Sequence, residues 1–549
     1  MLLAAALAIW FGHSLGTRAL WSPDEGRYAE IPREMVASGD YVTPRLNGIK
    51  YFEKPPLVYW LTAGSVRTFG LNEWALRLWP ALFAVLGCLA VYGLGTRLFG
   101  PLAGLLAAGI LATSPLYDLM GGALTTDMPL AVLITAALGA FLLVVSGPPG
   151  RLRRCALFAF YVAIALAVLA KGLIGILIPG MVIGAWVVML GEWKVLREMR
   201  PAAGAAIVIG IAAPWHWLVG VANPEFAHFY FVHEHIERFL TSSHGRYQPP
   251  WFFVLVLLAG MFPWSAFLPA TLTAIAKSWR ERRAQRETWF LLLWALVPFA
   301  FFSASGSKLA PYILPALPPL ALLLGRRLAD AWRGPARLPA AAFAALLVLA
   351  LSLGIVIAAG PLIFADRESF GRAATYLGAS LYWIAAALCL MGLAPFAAFL
   401  GARRSGTHRV AIAVLLTCAA GLSLLLHNAL PRLDGLYSVK ATAAALRERL
   451  RPGDEVMTYE AYYQDLPVYL QRRVTIVGWT GELLFGSTIE NTRAWMIDEA
   501  ALRRRWREPR TIYLLANVAR AKGFSLPQPS CLLHATERIA LHVNRKCLS

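Results

Sequence analysis

The chain is poor in charge. Only 15% of its 549 residues are Asp, Glu, Lys or Arg, against 58% hydrophobic; a soluble chain carries about a quarter charged residues. An ordinary multi-domain soluble protein is thereby excluded. The deficit arises from repeated apolar stretches of about 17–25 residues, the length a helix needs to cross a bilayer. Cysteine is scarce too. Of six, Cys88, Cys155, Cys389 and Cys418 fall in or beside apolar runs, where burial is expected. Cys531 and Cys547 lie in a polar region and could form a disulfide if that region is outside the cytoplasm, although spacing alone leaves the pairing open. The start lacks a basic segment and an A-x-A cleavage site, so residues 1–19 read as a retained first membrane helix rather than a signal peptide. A native start trimmed from a longer one is the companion expectation.

Acid is scarcer than base, 31 residues against 51, for a formal net charge of +20. Most of the excess sits in short loops between apolar runs, as the positive-inside rule describes, so nucleic acid is not the expected partner. About thirteen spans are expected, at 1–20, 74–97, 101–117, 128–146, 155–170, 172–190, 201–221, 251–272, 289–303, 309–325, 338–359, 381–400 and 409–429. The 155–190 region reads either as a re-entrant pair broken at Lys171-Gly172 or as two short helices. The loops with Arg97, Arg151–Arg154, Lys194–Arg200, Lys277–Arg286, Arg326–Arg337 and Arg403–Arg409 are the basic set, hence cytoplasmic. The opposite loops, 21–73 and 222–250 among them, are then outside, with short surface helices at 31–37 and 57–66.

Composition changes at about residue 430. Strands are expected at 455–460, 473–477, 511–515 and 539–543 and a helix at 492–506. Residues 430–549 therefore read as a small external α/β domain, without a Gly-rich phosphate loop or metal-spaced Cys/His set, serving as a lid or partner-binding module or as structure only. The remainder, 1–429, is the membrane domain.

Four polar segments stand out on the outer side. In Pro23-Asp24-Glu25-Gly26-Arg27-Tyr28, two acids precede a cation and a phenol within one turn. Such acids near lipid are costly unless they face a cavity; a solvated helix cap with a local ion pair is the plainer alternative. In Tyr51-Phe52-Glu53-Lys54-Pro55-Pro56, the prolines force an extended entry that would fix Lys54 in direction. A lysine there suits a lipid phosphate or simply snorkels. Thr126-Asp127-Met128-Pro129 opens a membrane helix, where an acid suits the positive dipole end; capping is the plain reading, and proximity to Asp24 the functional one. The run His228, His233, Glu234, His235, Glu237, Arg238 is not H-E-x-x-H, which removes metalloprotease chemistry. His233 and Glu237, with Glu53, could hold a divalent cation, or the run is a hydrogen-bonded surface helix. Lys171, Lys308 and Tyr312 lie at expected outer helix ends. With Arg27, Lys54 and Arg238, the lysines would make a basic outer cavity suited to an anionic lipid headgroup.

Taken together, Asp24-Glu25 after the first helix, Glu53-Lys54-Pro55-Pro56 and Thr126-Asp127-Met128-Pro129 resemble the protein mannosyltransferase-like GT-C glycosyltransferases. The PDEGRYAE and YFEKPPL segments narrow the resemblance to the lipid A aminoarabinose transferase family. It covers essentially the whole chain. It implies a polytopic α-helical membrane protein with a C-terminal periplasmic α/β domain, in the bacterial inner membrane. It also implies an inverting transferase that moves 4-amino-4-deoxy-L-arabinose from undecaprenyl phosphate to lipid A phosphates, giving resistance to polymyxin and other cationic peptides, and acting as a monomer among membrane lipids. On this resemblance Asp24 and Asp127 match the functional acids. Arg27, Tyr28, Lys54 and Arg238 match groups near the carrier phosphate, and Tyr51, Lys171, Lys308 and Tyr312 are further substrate contacts. Glu53 with His233 match a metal site for zinc or a similar divalent ion. A sister transferase acting on a protein or glycan, and a lipid-linked sugar flippase, are the rival readings. A flippase predicts mid-membrane ionisable groups and internal repeats, and no clear repeat is present.

Overall fold

The structure is a computed structural model that describes residues 1–237, 248–334, 337–363, 368–405, 408–518 and 526–547. The chain divides into two compact units. One comprises residues 1–15, 53–58 and 78–429; the other comprises 16–52, 59–77 and 430–549.

The first unit is helical. Each of the thirteen expected spans coincides with a helix or a bent helix pair. Among the described residues, eight helices are long and apolar enough to cross a membrane, or up to ten if each of two bent pairs counts as one span. The chain is thus a many-pass membrane protein. The first span is shorter than expected: its helix is Leu2–Gly12, 11 residues, about 16 Å at 1.5 Å per residue. The 101–117 and 251–272 spans are broken, with bends of 70° after Ala112 and 109° after Gly260. The ambiguous 155–190 region is two helices, Arg151–Lys171 and Ile174–Leu190. Gly172, at φ 94°, ends the first of them in a backbone state that a side chain would resist. Pro101 and Pro201 open their helices at the first helical position, where a missing N–H costs nothing.

Packing in this unit combines aromatic stacking with small-residue contacts. Phe141 and Phe290 stack at 5.2 Å, and Trp186 meets Phe141 edge-on at 5.6 Å. The Leu317–Arg333 helix lies so close to Pro101–Ala112 that a Cβ on Gly325 would come 2.7 Å from Ala103 O and from Ala107 Cβ. Such small-residue contacts let membrane helices approach closely where burial from water supplies little driving force.

The second unit carries both sheets. A hairpin of β1 (Arg45–Leu46) and β2 (Ile49–Lys50) turns at Asn47-Gly48, both at positive φ as a tight hairpin requires. Strands β3 (Glu455–Tyr459), β4 (Thr475–Val477), β5 (Met496–Ile497), β6 (Ile512–Asn517), β7 (Cys531–Ala535) and β8 (Ile539–Val543) form one mixed sheet in the order β5-β4-β3-β6-β8-β7. The four strands from β5 to β6 in that order run parallel; β8 is antiparallel to β6 and to β7. The Asn47 side chain donates to Val474 O and accepts from Val474 N, both at 2.9 Å, which ties the hairpin turn to the sheet. The helix expected over 492–506 is only Glu499–Trp506: Met496–Ile497 extends the sheet, and Asp498 caps the helix by accepting from Ala501 N at 2.7 Å. Strand β7 was not anticipated, because its pairing with β8 contains an irregularity between Leu532 and His534 that breaks the alternation. Cys531 and Cys547 form the disulfide, with Cα atoms 5.1 Å apart.

The 31–37 stretch belongs to a longer helix, Asp24–Ser38, and 57–66 to Leu57–Phe69. Glu25, in the first turn of Asp24–Ser38, is buried between two arginines. Arg77 Nε and Nη2 donate to its two oxygens at 2.8 and 2.9 Å, and Arg18 donates to both as well, at 2.5 and 3.0 Å. Arg77 itself is fully buried and also donates to the carbonyls of Arg18 and Ala19. Burial alone would raise the Glu25 carboxyl, but Arg77 and Arg18 outweigh it and hold it at about 2. Because the folded value lies below that of free glutamate, about 4.3, the cluster contributes stability above that pH and loses it as pH falls toward 2.

Two outcomes follow. Glu25→Ala leaves Arg77 a buried unpaired cation and is expected to cost about 3–5 kcal/mol, read as a lowered midpoint of thermal unfolding in detergent at pH 7; the gap to the parent should shrink as the pH is lowered below 4. Gly325→Ala overpacks the helix crossing and is expected to cost about 1–3 kcal/mol, with no such pH dependence.

Candidate functional site

The clearest concave site lies within the first unit. It is a cavity of about 450 Å³ lined by Glu53, Lys54, Asp127, Lys171, Glu234 and Tyr312, with an apolar wall that includes Leu130, Ile174, Leu177, Phe301 and Phe302. Helix ends deliver its charges. Asp127 is the first residue of Asp127–Ser146 and Lys171 the last of Arg151–Lys171. An acid at a helix N-terminus and a cation at a C-terminus both sit favourably against the helix dipole. The two side chains form a short ion pair, each 15% exposed. The cation also faces the ring of Tyr312, with Nζ 4.8 Å from its centroid. The expected cap at Thr126 makes no side-chain capping hydrogen bond; instead Thr125 Oγ1 accepts from Asp127 N at 3.3 Å.

Lys54 enters from the segment between Phe52 and the Leu57–Phe69 helix. Its Nζ donates to Glu53 O at 2.7 Å and lies 3.3 Å from Glu234 Oε2. Glu234 is buried, on a π-helix spanning His228–Glu237. Among the described residues the lining holds two lysines and three carboxylates, Glu53, Asp127 and Glu234, and both lysines are engaged by acids. Each ion pair removes the cost of holding a lone charge in a partly apolar site, while keeping the cation available to a ligand that can compete for it.

Lys308, expected among the substrate contacts, is tied to backbone carbonyls. It is buried, and its Nζ donates to Ser305 O at 2.6 Å and Gln248 O at 3.0 Å. This clip holds the turn that presents Ser305 and Ser307 to the cavity. Ser307 Oγ is buried and has no hydrogen-bond partner among the described residues. His233 packs its ring 5.1 Å from that of Phe229, and it is Glu234, not His233, that lines the cavity. Among the described residues no group of three His, Cys, Asp or Glu side chains is arranged to hold a metal ion. Arg238 lies outside the described residues, as do the side chains of His235 and Glu237.

Asp24, Arg27, Tyr28 and Tyr51 lie in the second unit. The Asp24-Glu25 pair divides its labour: Glu25 is locked between arginines, whereas the Asp24 side chain is 54% exposed and 3.3 Å from Arg27 Nη1. Arg27 is almost fully buried, forms a second, short ion pair with Glu482, and lies 6.0 Å from the ring centres of Tyr28 and Tyr51. Tyr28 stacks on Tyr59 at 6.0 Å. Asp24, Arg27 and Tyr28 are neighbours in sequence, whereas Glu482 carries no sequence signal that would place it against Arg27. Glu234, Ser305 and Ser307 were missed as cavity residues for a similar reason. A single acid or serine has no motif, and only the fold shows which way it faces.

Chemically the cavity can do three things. Its ammonium groups can receive a phosphate, and its carboxylates can receive an amine or hydroxyl. Its apolar wall can take hydrocarbon.

The model of the dolichyl-phosphate-mannose-protein mannosyltransferase family matches residues 53–217, and that of the aminoarabinose transferase C-terminal domain matches 442–524. The undecaprenyl phosphate-alpha-4-amino-4-deoxy-L-arabinose arabinosyl transferase 2 of Sodalis glossinidius is 36% identical over 325 residues, 59% of this chain. The match spans only 58% of that relative's length. The corresponding transferase of Erwinia tasmaniensis is 32% identical over 419 residues, 72% of this chain and 75% of the relative. The crystal structure of ArnT from Cupriavidus metallidurans bound to undecaprenyl phosphate superposes with a TM-score of 0.83 at 29% identity, covering 99% of this chain and 97% of that one. From its helical unit and C-terminal sheet to these likenesses, the chain belongs to the undecaprenyl phosphate-aminoarabinose arabinosyl transferase (ArnT) family of GT-C glycosyltransferases.

Proposed function

We propose that the protein transfers 4-amino-4-deoxy-L-arabinose from undecaprenyl phosphate to phosphate groups of lipid A, as a monomer at the periplasmic face of a bacterial inner membrane. The observation that carries this reading is the mixed sign of the cavity. A donor with an anionic phosphate and a cationic sugar amine is matched by a site in which Lys54 and Lys171 stand beside Glu53, Asp127 and Glu234. A neutral sugar would leave carboxylates without a counter-charge when the lysines turn to phosphate. The apolar wall at Leu130, Ile174 and Phe302 suits the first isoprene units of the carrier.

In this reading the lipid-linked phosphate leaves as an acceptor oxygen attacks the anomeric carbon from the opposite face, inverting it. The acceptor oxygen of a lipid A phosphate is already anionic, so no group need remove a proton from it. Lys54 and Lys171 exchange their carboxylate partners for phosphate oxygens and stabilise the charge that grows on the departing phosphate. The carboxylates so released hold the sugar amine. Asp24, the more exposed acid of its pair, orients acceptor or sugar rather than acting as a base. A divalent ion held by Glu53 and His233 would add positive charge beside the departing phosphate.

The test is transfer in membranes supplied with both lipids, read as a gain of one aminopentose in the mass of lipid A. Lys54→Ala and Lys171→Ala are each expected to lower the rate about 100-fold or more, the loss typical of removing one group that stabilises developing charge; Asp24→Asn is expected to lose activity at every pH rather than shift a pH optimum. Full retained transfer in Asp24→Asn removes that residue from the reaction. A product mass found on protein or glycan instead of lipid A supports the sister-transferase reading. Movement of the intact donor across the bilayer without any product supports the flippase.

A further inference from the structure

A second cavity, of about 410 Å³, lies among the helices Asp127–Ser146, Arg151–Lys171 and Pro201–Ala222, far along the chain from the helix ends that supply Asp127 and Lys171 to the first. Its polar lining is Arg153, Arg154, Arg200 and Glu198, and its apolar lining includes Leu157, Phe158 and Ile207. Arg151, Arg153, Arg154, Lys194, Arg197 and Arg200 all fall in the connections and helix ends of the Lys/Arg-rich side.

The three arginines are not equivalent. Arg153 is used by the fold: it donates to Val144 O at 3.0 Å and to Glu198 Oε2 at 2.5 Å. Arg154 and Arg200 make no side-chain hydrogen bond or ion pair with another described residue, so the lining keeps two uncompensated positive charges. Arg200 is also held in the left-handed region, at φ 50° and ψ 61°, immediately before Pro201. Glycine or asparagine would adopt that state with less strain, so the position carries an arginine despite its local backbone preference. An outlier of this kind points to a role for the side chain. The cavity floor is built as well. Gly204 carries no side chain where the Tyr161 ring packs against it, and Tyr161 Oη donates to Met199 O at 2.7 Å. The Phe158 side chain, 60% exposed, offers a large apolar surface beside the cations.

Two free cations above an apolar slot between membrane helices describe a receptor for an amphiphile with an anionic head. We propose that this cavity holds one anionic phospholipid of the cytoplasmic leaflet, its phosphate between Arg154 and Arg200 and an acyl chain along Leu157, Phe158 and Ile207. Basic pockets between helices on that side are suited to acidic lipid headgroups on general grounds. A soluble anion would gain the charges but not the slot. A zwitterionic lipid would gain the slot but bring a second cation toward the arginines. The proposal does not depend on the transfer reaction and adds a lipid that is neither donor nor acceptor.

The test uses the full-length protein, stripped of lipid in detergent and titrated with dioleoyl phosphatidylglycerol or dioleoyl phosphatidylcholine, with retained lipid counted by native mass spectrometry. The parent is expected to retain one more phosphatidylglycerol than R154Q/R200Q, and to prefer it at least tenfold over phosphatidylcholine at that site. R154K/R200K keeps the charge and should retain the lipid. R200G relieves the backbone and should melt no lower than the parent while losing most of the preference, which separates lost binding from lost folding. Equal retention of the two lipids by the parent overturns the proposal. So does an unchanged count in both R154Q/R200Q and R200G, or complete displacement of the lipid by 10 mM inorganic phosphate, about the level at which a simple anion site would fill.

Discussion

Glu25 and its two arginines are the constraint on which the second unit turns. A carboxylate and a guanidinium taken this far from water are tolerated only if every charge meets an opposite one and the remaining donors find acceptors. Arg77 satisfies that condition with the two oxygens of Glu25 and the carbonyls of Arg18 and Ala19. The arrangement fixes three separate stretches of chain at one point: the end of the first loop's entry, the first turn of Asp24–Ser38, and the start of the Glu73–Phe99 helix. Asp24 inherits its position from this anchor. An exposed acid is thereby carried on backbone tied to a buried ion cluster.

The cavity of the first unit follows the same electrostatic logic with a different outcome. Its lysines are paired with Asp127 and Glu234, and these pairs lie beside an open apolar volume. Glu25 accepts four hydrogen bonds from two arginines, whereas the Asp127–Lys171 pair borders an open apolar volume.

Much of the fold was legible beforehand because its determinants are local. Thirteen apolar runs became helices or bent helix pairs, since length and apolarity suffice to specify a membrane helix. Asp127 and Lys171 were visible at helix ends because Pro129 and Gly172 mark those ends. What failed was what depends on partners. The 492–506 helix begins only at Glu499, after a turn, a strand paired with β4 and the Asp498 cap. Strand β7 was hidden by an irregular register. Lys308 resembled its neighbours as a cation at a helix mouth, yet it faces backbone carbonyls rather than the cavity.

By itself, then, the sequence determined a many-pass helical protein, the change to an α/β segment near residue 430, and the family to which both belong, because hydrophobic run length, turn residues and short motifs are properties of contiguous chain. Only the tertiary structure decided that Glu25 is a buried anchor while Asp24 is exposed, that Glu234 and Ser307 face the cavity while Lys308 does not, and that the cavity carries both signs of charge. Those are statements about which side chains meet across distant segments. A charge on a helix has the same sequence signature whether it faces a ligand, an ion-pair partner or a backbone carbonyl, and its surroundings, supplied by other parts of the chain, set which of these it does.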